Sequence, residues 1–337
     1  MIDSIYIETA VVDHPRARSV LRRYPRARVI ECSSYAEIFN RRQQNFRAQK
    51  SRPALILAEK SAPRLSPVPA GQHLGAPHNY YFSHLLNCPF DCRYCFLQGM
   101  FTSANYVLFV NYEAFLEEIA DVARNCDGPV HVFSGYDCDS LALEPLTRFA
   151  EYFVAGFAGM PDATLELRTK STQIRSLLAQ PAHARCIVAM SIAPAGVITR
   201  FEHGTPGLEE RLGALKRLQQ HGWPIGLRFD PLLVFADCEA VYREFFARVF
   251  ATLDPAAIHS VTLGGLRLPR AFAKRIQRLY PDEALFATAF NDTDGVYTAD
   301  GTGALLRTAL DAVSRHVPAT RIFVQHALAD DATQPAC

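Results

Sequence analysis

Between residues 78 and 279 the chain alternates six times between a short run rich in Val, Ile, Leu, Phe and Tyr and a longer segment with apolar residues at helical spacing. The strand-like runs fall at 78–85, 129–133, 164–169, 186–192, 225–229 and 258–263. The helical stripes that follow begin with Phe115, Ile119 and Val122 and end with Phe272, Ile276 and Leu279. Consecutive parallel strands need crossovers of a dozen residues or more, which helices supply. Six βα units therefore predict an α/β fold with a parallel sheet covered by helices. Periodicity does not say whether that sheet closes into a barrel or stays open.

Ahead of this block, residues 1–75 read as a smaller basic α/β unit. Strands are expected at Ile5-Tyr6-Ile7, Val29-Ile30 and 54–58, with a polar helix over 41–52. Pro63, Pro67, Pro69 and Gly71 interrupt regular structure and place a boundary near Gly75. The expected organisation is thus 1–75, a βα domain over 76–285, and a C-terminal extension over 286–337.

With 337 residues, 49% hydrophobic and 20% charged, the chain has ample material for a core, which excludes disorder and fibre. It has no uninterrupted apolar run of about 18 residues, and Met1-Ile2-Asp3-Ser4 does not open a leader, so the expectation is a cytoplasmic protein with no membrane partner. Nine cysteines, an odd number in a chain this large, suit a reducing compartment and metal or catalytic work for some thiols. Charge is segregated. From Pro15 to Arg64 there are 13 Arg and Lys against three Glu, a surplus of +10, whereas 283–337 carries seven acids against three Arg. A basic segment of this kind either attracts phosphate backbones or is a solvated helical face.

Cys88, Cys92 and Cys95 form a CxxxCxxC array in the loop between the first strand and the first helix, where βα folds place their chemistry. Three thiolates are one short of what a structural zinc or a closed iron–sulfur cluster takes. A cube held by three cysteines keeps one iron open for an exogenous ligand. The alternatives are a zinc knot completed by a residue such as His84, or three incidental thiols.

The array, with an aromatic residue before its third cysteine, resembles the signature of radical S-adenosylmethionine (SAM) enzymes. The resemblance narrows to the spore photoproduct lyase family over nearly the whole chain, carried in order by Ile5-Tyr6-Ile7-Glu8, Cys92-Arg93-Tyr94-Cys95-Phe96-Leu97-Gln98, 106–111, Arg168-Thr169-Lys170, Met190-Ser191-Ile192, Phe201-Glu202-His203-Gly204-Thr205 and Leu279-Tyr280-Pro281. It implies a partial (β/α)6 radical-SAM barrel with a small N-terminal α/β extension, and a [4Fe-4S] cluster on Cys88, Cys92 and Cys95. It further implies SAM on the fourth iron, a reducing donor such as flavodoxin or ferredoxin, and a pyrimidine photolesion as substrate. Lys170 matches a SAM-binding position, where its ammonium can meet the methionyl carboxylate. Ser191 matches another contact. Asp137 and Asp139 lie where carboxylates can accept hydrogen bonds from SAM's amine or ribose, or are ordinary loop acids. The 201–205 motif reads first as a turn, with Thr205 as a helix cap.

The departures from the family concern hydrogen return. An ungapped match puts Tyr136 where the lyases carry a donor cysteine, with Cys138 two residues on. If 134–138 is extended, both face one side; if it is a turn, that inference lapses. Tyr94 keeps a tyrosine the lyases have next to the cluster, while Phe96 replaces a second. The family's basic, aromatic hairpin corresponds here to Ala289-Phe290-Asn291-Asp292-Thr293-Asp294-Gly295, which is acidic. DNA contact then falls to the basic N-terminal segment and to Arg267, Arg270, Lys274, Arg275 and Arg278. Three functions remain in view: a SAM-cleaving enzyme acting on a nucleic-acid lesion, the same chemistry on a small metabolite or peptide, and a non-enzymatic metal or nucleic-acid binding module.

Overall fold

The computed structural model describes residues 2–69 and 74–325; Gly71 and Cys337 lie outside the described residues. Its centre is a sheet whose parallel strands are β1 (His78–Phe82), β2 (Val130–Ser134), β3 (Ala163–Thr169), β4 (Cys186–Ser191), β5 (Ile225–Leu232), β6 (Ile258–Gly265) and β7 (Ile322–Gln325), side by side in chain order. Leu65–Pro67 adds an antiparallel edge beside β1. Every residue of β2 and β4 is buried, as expected where helices or a filled interior cover both faces. The sheet curls into a half-barrel, and the expected partial barrel is present.

Helices α1 (Tyr112–Asn125), α2 (Phe149–Ala158), α3 (Leu208–His221) and α4 (Cys238–Thr252) follow β1, β2, β4 and β5. Local sequence sets their ends. In α3 the Gly207 N–H donates to Glu210 Oε2 at 2.7 Å, two acids occupy the first turn, and Gly222 at φ +93° closes the helix. Its Leu212, Leu215 and Leu218 face the core.

The helix expected to cover β6 does not do so. Helix α5 (Arg270–Leu279) packs on the short helix Leu97–Met100 and turns Ala273 and Ile276 into a second apolar cluster, with Cys92, Tyr94, Val197 and Leu268. The cover is α6 (Thr302–Ser314), which packs on α4 and β6 before β7 pairs with β6. Both helices carry a stripe at helical spacing, and a stripe does not name the surface it will bury.

The N-terminal segment builds a five-stranded sheet in the order Arg28–Cys32, Ser4–Glu8, Leu55–Ala58, Tyr106–Phe109 and Leu85–Leu86. It takes strands from both sides of residue 75, and one apolar core runs from Ile5 through to Val317. The helix expected over 41–52 is confined to Phe46–Ser51. Much of the basic charge is used here. The Arg16 guanidinium lies 4.0 Å over the Tyr112 ring, Arg64 pairs with Glu118 at 3.1 Å, and Lys50 pairs with Asp91 at 3.3 Å.

The barrel interior carries one charged layer. Glu166 on β3 receives two bonds from Arg228 on β5, at 3.0 and 2.7 Å, and two from Arg168 at 3.1 and 3.0 Å. Burial opposes ionisation of Glu166, but the Arg228 and Arg168 charges prevail and hold its carboxyl well below the usual range. Arg228 also donates to the Ser260 carbonyl and hydroxyl. The layer forms a polar floor, from which Arg168 reaches into the cavity above.

Candidate active site

The loop after β1 is pinned before it reaches the thiols. Asn87 sits at φ +69° and its Nδ2 donates to the carbonyls of Ser103 (2.8 Å) and Asn105 (2.7 Å). Asp91-Cys92 then pairs antiparallel with Glu202-His203, and the Arg93 N–H donates to the Phe201 carbonyl at 2.8 Å. The expected turn at Gly204 exists, at φ +78°, but Glu202-His203 within that motif are a strand that clamps the cysteine loop. Thr205 does not cap α3; Gly207 does, and the Thr205 hydroxyl donates to the Glu202 carbonyl at 2.7 Å. Lys50 Nζ also donates to the Phe90 carbonyl at 2.9 Å, and Arg93 stacks 3.8 Å over the Tyr280 ring.

Cys88, Cys92 and Cys95 all line one cavity of about 500 Å³, together with Tyr94, Tyr136, Cys138, Asp139, Arg168, Lys170 and Ser191. These residues come from four stretches of sequence, far apart along the chain. Burial pushes all three thiols of the array upward, with Lys170 drawing Cys92 and Cys95 back down. Among the described residues no three His, Cys, Asp or Glu side chains are close enough to share a single ion. A cube asks for less convergence, because each cysteine binds a different iron. Soft sulfur donors on one loop, facing a cavity with a cation beside it, fit an iron–sulfur cluster and an anionic ligand group.

Lys170 follows the last residue of β3, and its Nζ lies 5.6 Å from the centroid of the Tyr94 ring. Burial lowers its pKa, but Glu202, Cys92 and Cys95 outweigh burial and the net direction is upward. Ser191 ends β4 at the cavity wall. Asp139 builds that wall. It accepts from the Thr169 hydroxyl (2.6 Å) and from the N–H groups of Lys170 (2.6 Å), Leu141 (3.0 Å) and Ala142 (2.9 Å). Asp137 is not among the residues lining the cavity; its Oδ2 accepts from the Ser83 hydroxyl at 2.5 Å.

The separation of Asp137 from Asp139 follows from Gly135. Strand β2 stops at Ser134, Gly135 takes φ +80°, and the chain bends instead of running on extended. Tyr136 and Cys138 therefore do not share a strand face, yet both reach the cavity. Tyr136 stacks on Tyr81 at 4.3 Å and 26° and lies 5.6 Å from the Phe96 ring. Burial, with Asp139 and Asp137 nearby, pushes the Cys138 thiol well up, so it stays protonated at neutral pH.

The cations assigned to DNA have divided roles. Arg267 lines the cavity and pairs with Asp230 at 3.2 Å; Arg270 pairs with Asp292 at 2.9 Å; Arg275 donates to the Gly99 carbonyl at 3.3 Å. Lys274 and Arg278 are exposed. The acidic stretch is a hairpin, Phe290–Thr293 with Val296–Ala299, turning at Asp294-Gly295 where both φ angles are positive. Asp292 also accepts from the Gly295 N–H at 3.1 Å, so this acid is committed to the turn and to Arg270.

Sequence reasoning missed Glu202 and Arg211 as site residues. The fully buried Arg211 donates to Glu202 at 2.5 Å and to the Ser191 carbonyl at 3.0 Å, and the Tyr94 hydroxyl donates to the other Glu202 oxygen. No local signal marks the last contact, which spans 108 residues.

A half-barrel with three cysteines in its first βα loop, opening on a cavity that holds a lysine from the third strand, defines a radical SAM enzyme of the lyase type. A family model for spore photoproduct lyase matches residues 1–293. The chain belongs to the spore photoproduct lyase family. It is 23% identical over 293 residues to the spore photoproduct lyase of Bacillus subtilis, covering 83% of each chain. To that of Clostridium acetobutylicum it is 21% identical over 209 residues, covering 61% of this chain and 62% of the other. A solved spore photoproduct lyase mutant with bound AdoMet and dinucleoside spore photoproduct superposes with a TM-score of 0.82 at 17% identity, over 97% of this chain and 98% of that one, and so shares its fold. No helix among the described residues is long and apolar enough to cross a membrane.

Proposed function

We propose that this chain repairs nucleic acid by taking a hydrogen atom from a pyrimidine photolesion. The observation that carries the reading is the single cavity that joins the three thiols, Lys170 and the Tyr136–Cys138 bend. When bound, a [4Fe-4S] cluster and SAM supply the electron-driven cleavage that yields a 5′-deoxyadenosyl radical. The protein's own tasks are to hold, orient and exclude water. Cys88, Cys92 and Cys95 hold the cluster, the Lys170 ammonium meets the methionyl carboxylate, and the Ser191 hydroxyl donates a hydrogen bond to the same ligand. Asp139 serves by fixing the backbone that presents Lys170.

Hydrogen return falls to the bend. Cys138 is kept as S–H, the form that can give up a hydrogen atom, and Tyr136 presents a phenol backed by Tyr81. Nucleic acid is gripped by exposed cations, Arg22, Arg26, Arg28, Arg41 and Arg42 with Lys274 and Arg278. An acidic one-electron carrier of the flavodoxin or ferredoxin kind supplies the electron. The phenol at position 136 and the acidic hairpin favour one second reading, the same radical chemistry on a small metabolite or peptide.

Anaerobic incubation with 5′-deuterated SAM, reductant and a lesion-bearing oligonucleotide tests the reading. Restored pyrimidines and 5′-deoxyadenosine or relabelled SAM are expected; SAM cleavage that leaves every lesion intact selects the second reading. Cys138→Ala and Tyr136→Phe are both expected to spare SAM cleavage, and the one that shifts the product ratio is the donor.

A further inference from the structure

Arg211 lies on α3 with no exposed surface, and a guanidinium in such a place is tolerable only when its donors are used. Nε donates to the Pro206 carbonyl (2.9 Å), Nη1 to the Ser191 carbonyl (3.0 Å), and Nη2 to Glu202 Oε2 (2.5 Å) and the Thr205 hydroxyl (2.7 Å). Glu202 is as buried as its partner, and its remaining oxygen accepts the Tyr94 hydroxyl. Its backbone pairs with Cys92, and its charge acts on Lys170. A buried ion pair kept for stability alone needs neither the tyrosine nor the lysine.

We propose that Glu202, braced by Arg211, is a positioning residue for SAM: it fixes Tyr94 and the Cys92 loop on one side and the Lys170 ammonium on the other. The inference rests on reading the cavity as the SAM site. Of the three elements that meet the ligand in that reading, the Glu202–Arg211 pair hydrogen-bonds two, the cysteine loop and Ser191, and the Glu202 charge acts on the third, Lys170. Charge gives a second reason: the buried Arg211 and the half-buried Lys170 are both cations, and the Glu202 carboxylate offsets them.

The test uses the full chain, reconstituted anaerobically with iron and sulfide, and reads SAM affinity and the SAM-dependent change in the reduced cluster's electron paramagnetic resonance spectrum. In Glu202→Gln the iron content is expected to match wild type, the dissociation constant for SAM to rise by about tenfold or more, and the spectral change to vanish at SAM concentrations that saturate wild type. In a Lys170→Met background, adding Glu202→Gln is expected to weaken SAM by less than about threefold, because the two residues act on one contact. A Glu202→Gln chain that keeps its iron and binds SAM as wild type does overturns the proposal. Should that variant fail to fold, Tyr94→Phe decides, since it leaves the Glu202–Arg211 pair intact: SAM binding weakened by about threefold or more supports the proposal, and unchanged binding overturns it. A wild-type cluster indifferent to SAM sinks the functional reading and this inference together; a responsive wild type beside an equally responsive Glu202→Gln sinks the inference alone.

Discussion

Gly135 shows how much of the site can hang on one residue. At φ +80° it occupies the left-handed region, which costs an L-residue about 1–2 kcal/mol, and a Cβ there would lie 2.6 Å from both the Arg168 carbonyl and the Ser140 hydroxyl. Gly135→Ala is expected to destabilise the chain by about 2 kcal/mol or more and to move Tyr136 off Tyr81. A denaturant midpoint equal to that of wild type would contradict this. The residues that make the cluster loop were legible because their chemistry is written in local spacing. Asp137 and Asp139 have the same chemistry two positions apart. Only the bend at Gly135 separates them, sending one to Ser83 and the other to the wall beside Lys170.

At the scale of elements, the cavity depends on helices whose partners the sequence does not name. Gly99 allows the short helix after Cys95 to touch α5 directly: a Cβ on it would meet the Phe272 carbonyl oxygen at 2.6 Å and Cα at 2.7 Å. Backbone atoms cannot step aside as a flexible side chain does. Gly99→Ala is therefore expected to cost about 1–3 kcal/mol, as overpacking does, and to lower the iron retained after reconstitution. Unfolding midpoint and iron content check it together, and wild-type values of both would show that the contact is slack. The antiparallel clamp of Glu202-His203 on Asp91-Cys92 belongs to the same scale. It joins stretches more than a hundred residues apart and leaves no periodic trace in either.

The molecule as a whole should answer to acid through groups buried in the form they hold near neutrality. His84 stacks on Phe149 with ring centroids 3.6 Å apart, its Nδ1 has no hydrogen-bond partner among the described residues, and burial drops its pKa from 6.5 to about 3. Between those values the unfolded chain binds a proton that the folded chain refuses. Stability is complete above about pH 6.5 and declines as the pH falls toward about 3, by up to about 5 kcal/mol at 1.36 kcal/mol per unit. Glu166 acts in the same sense at lower pH: its depressed carboxyl contributes stability that is lost as the pH falls below the unfolded value of about 4.3. His84→Phe, which keeps the stacked ring, is expected to flatten the pH dependence of the unfolding free energy between about pH 6.5 and 4.5 while leaving the acid limb due to Glu166. A slope unchanged by the substitution would remove His84 from the balance.

Local order along the chain determined the parallel α/β core, the cysteine loop at the end of its first strand, and the family to which the motifs point, because period and spacing are properties of neighbours. Tertiary structure alone decided which helix covers β6, that the N-terminal sheet takes two strands from the connection between β1 and α1, that Arg16, Lys50 and Arg64 of the basic segment are spent on internal contacts, and that Glu202 and Arg211 stand behind Tyr94. Those outcomes depend on shape complementarity and on charges meeting across a hundred residues or more. An apolar stripe or a lone carboxylate is compatible with many partners until the rest of the chain has folded around it.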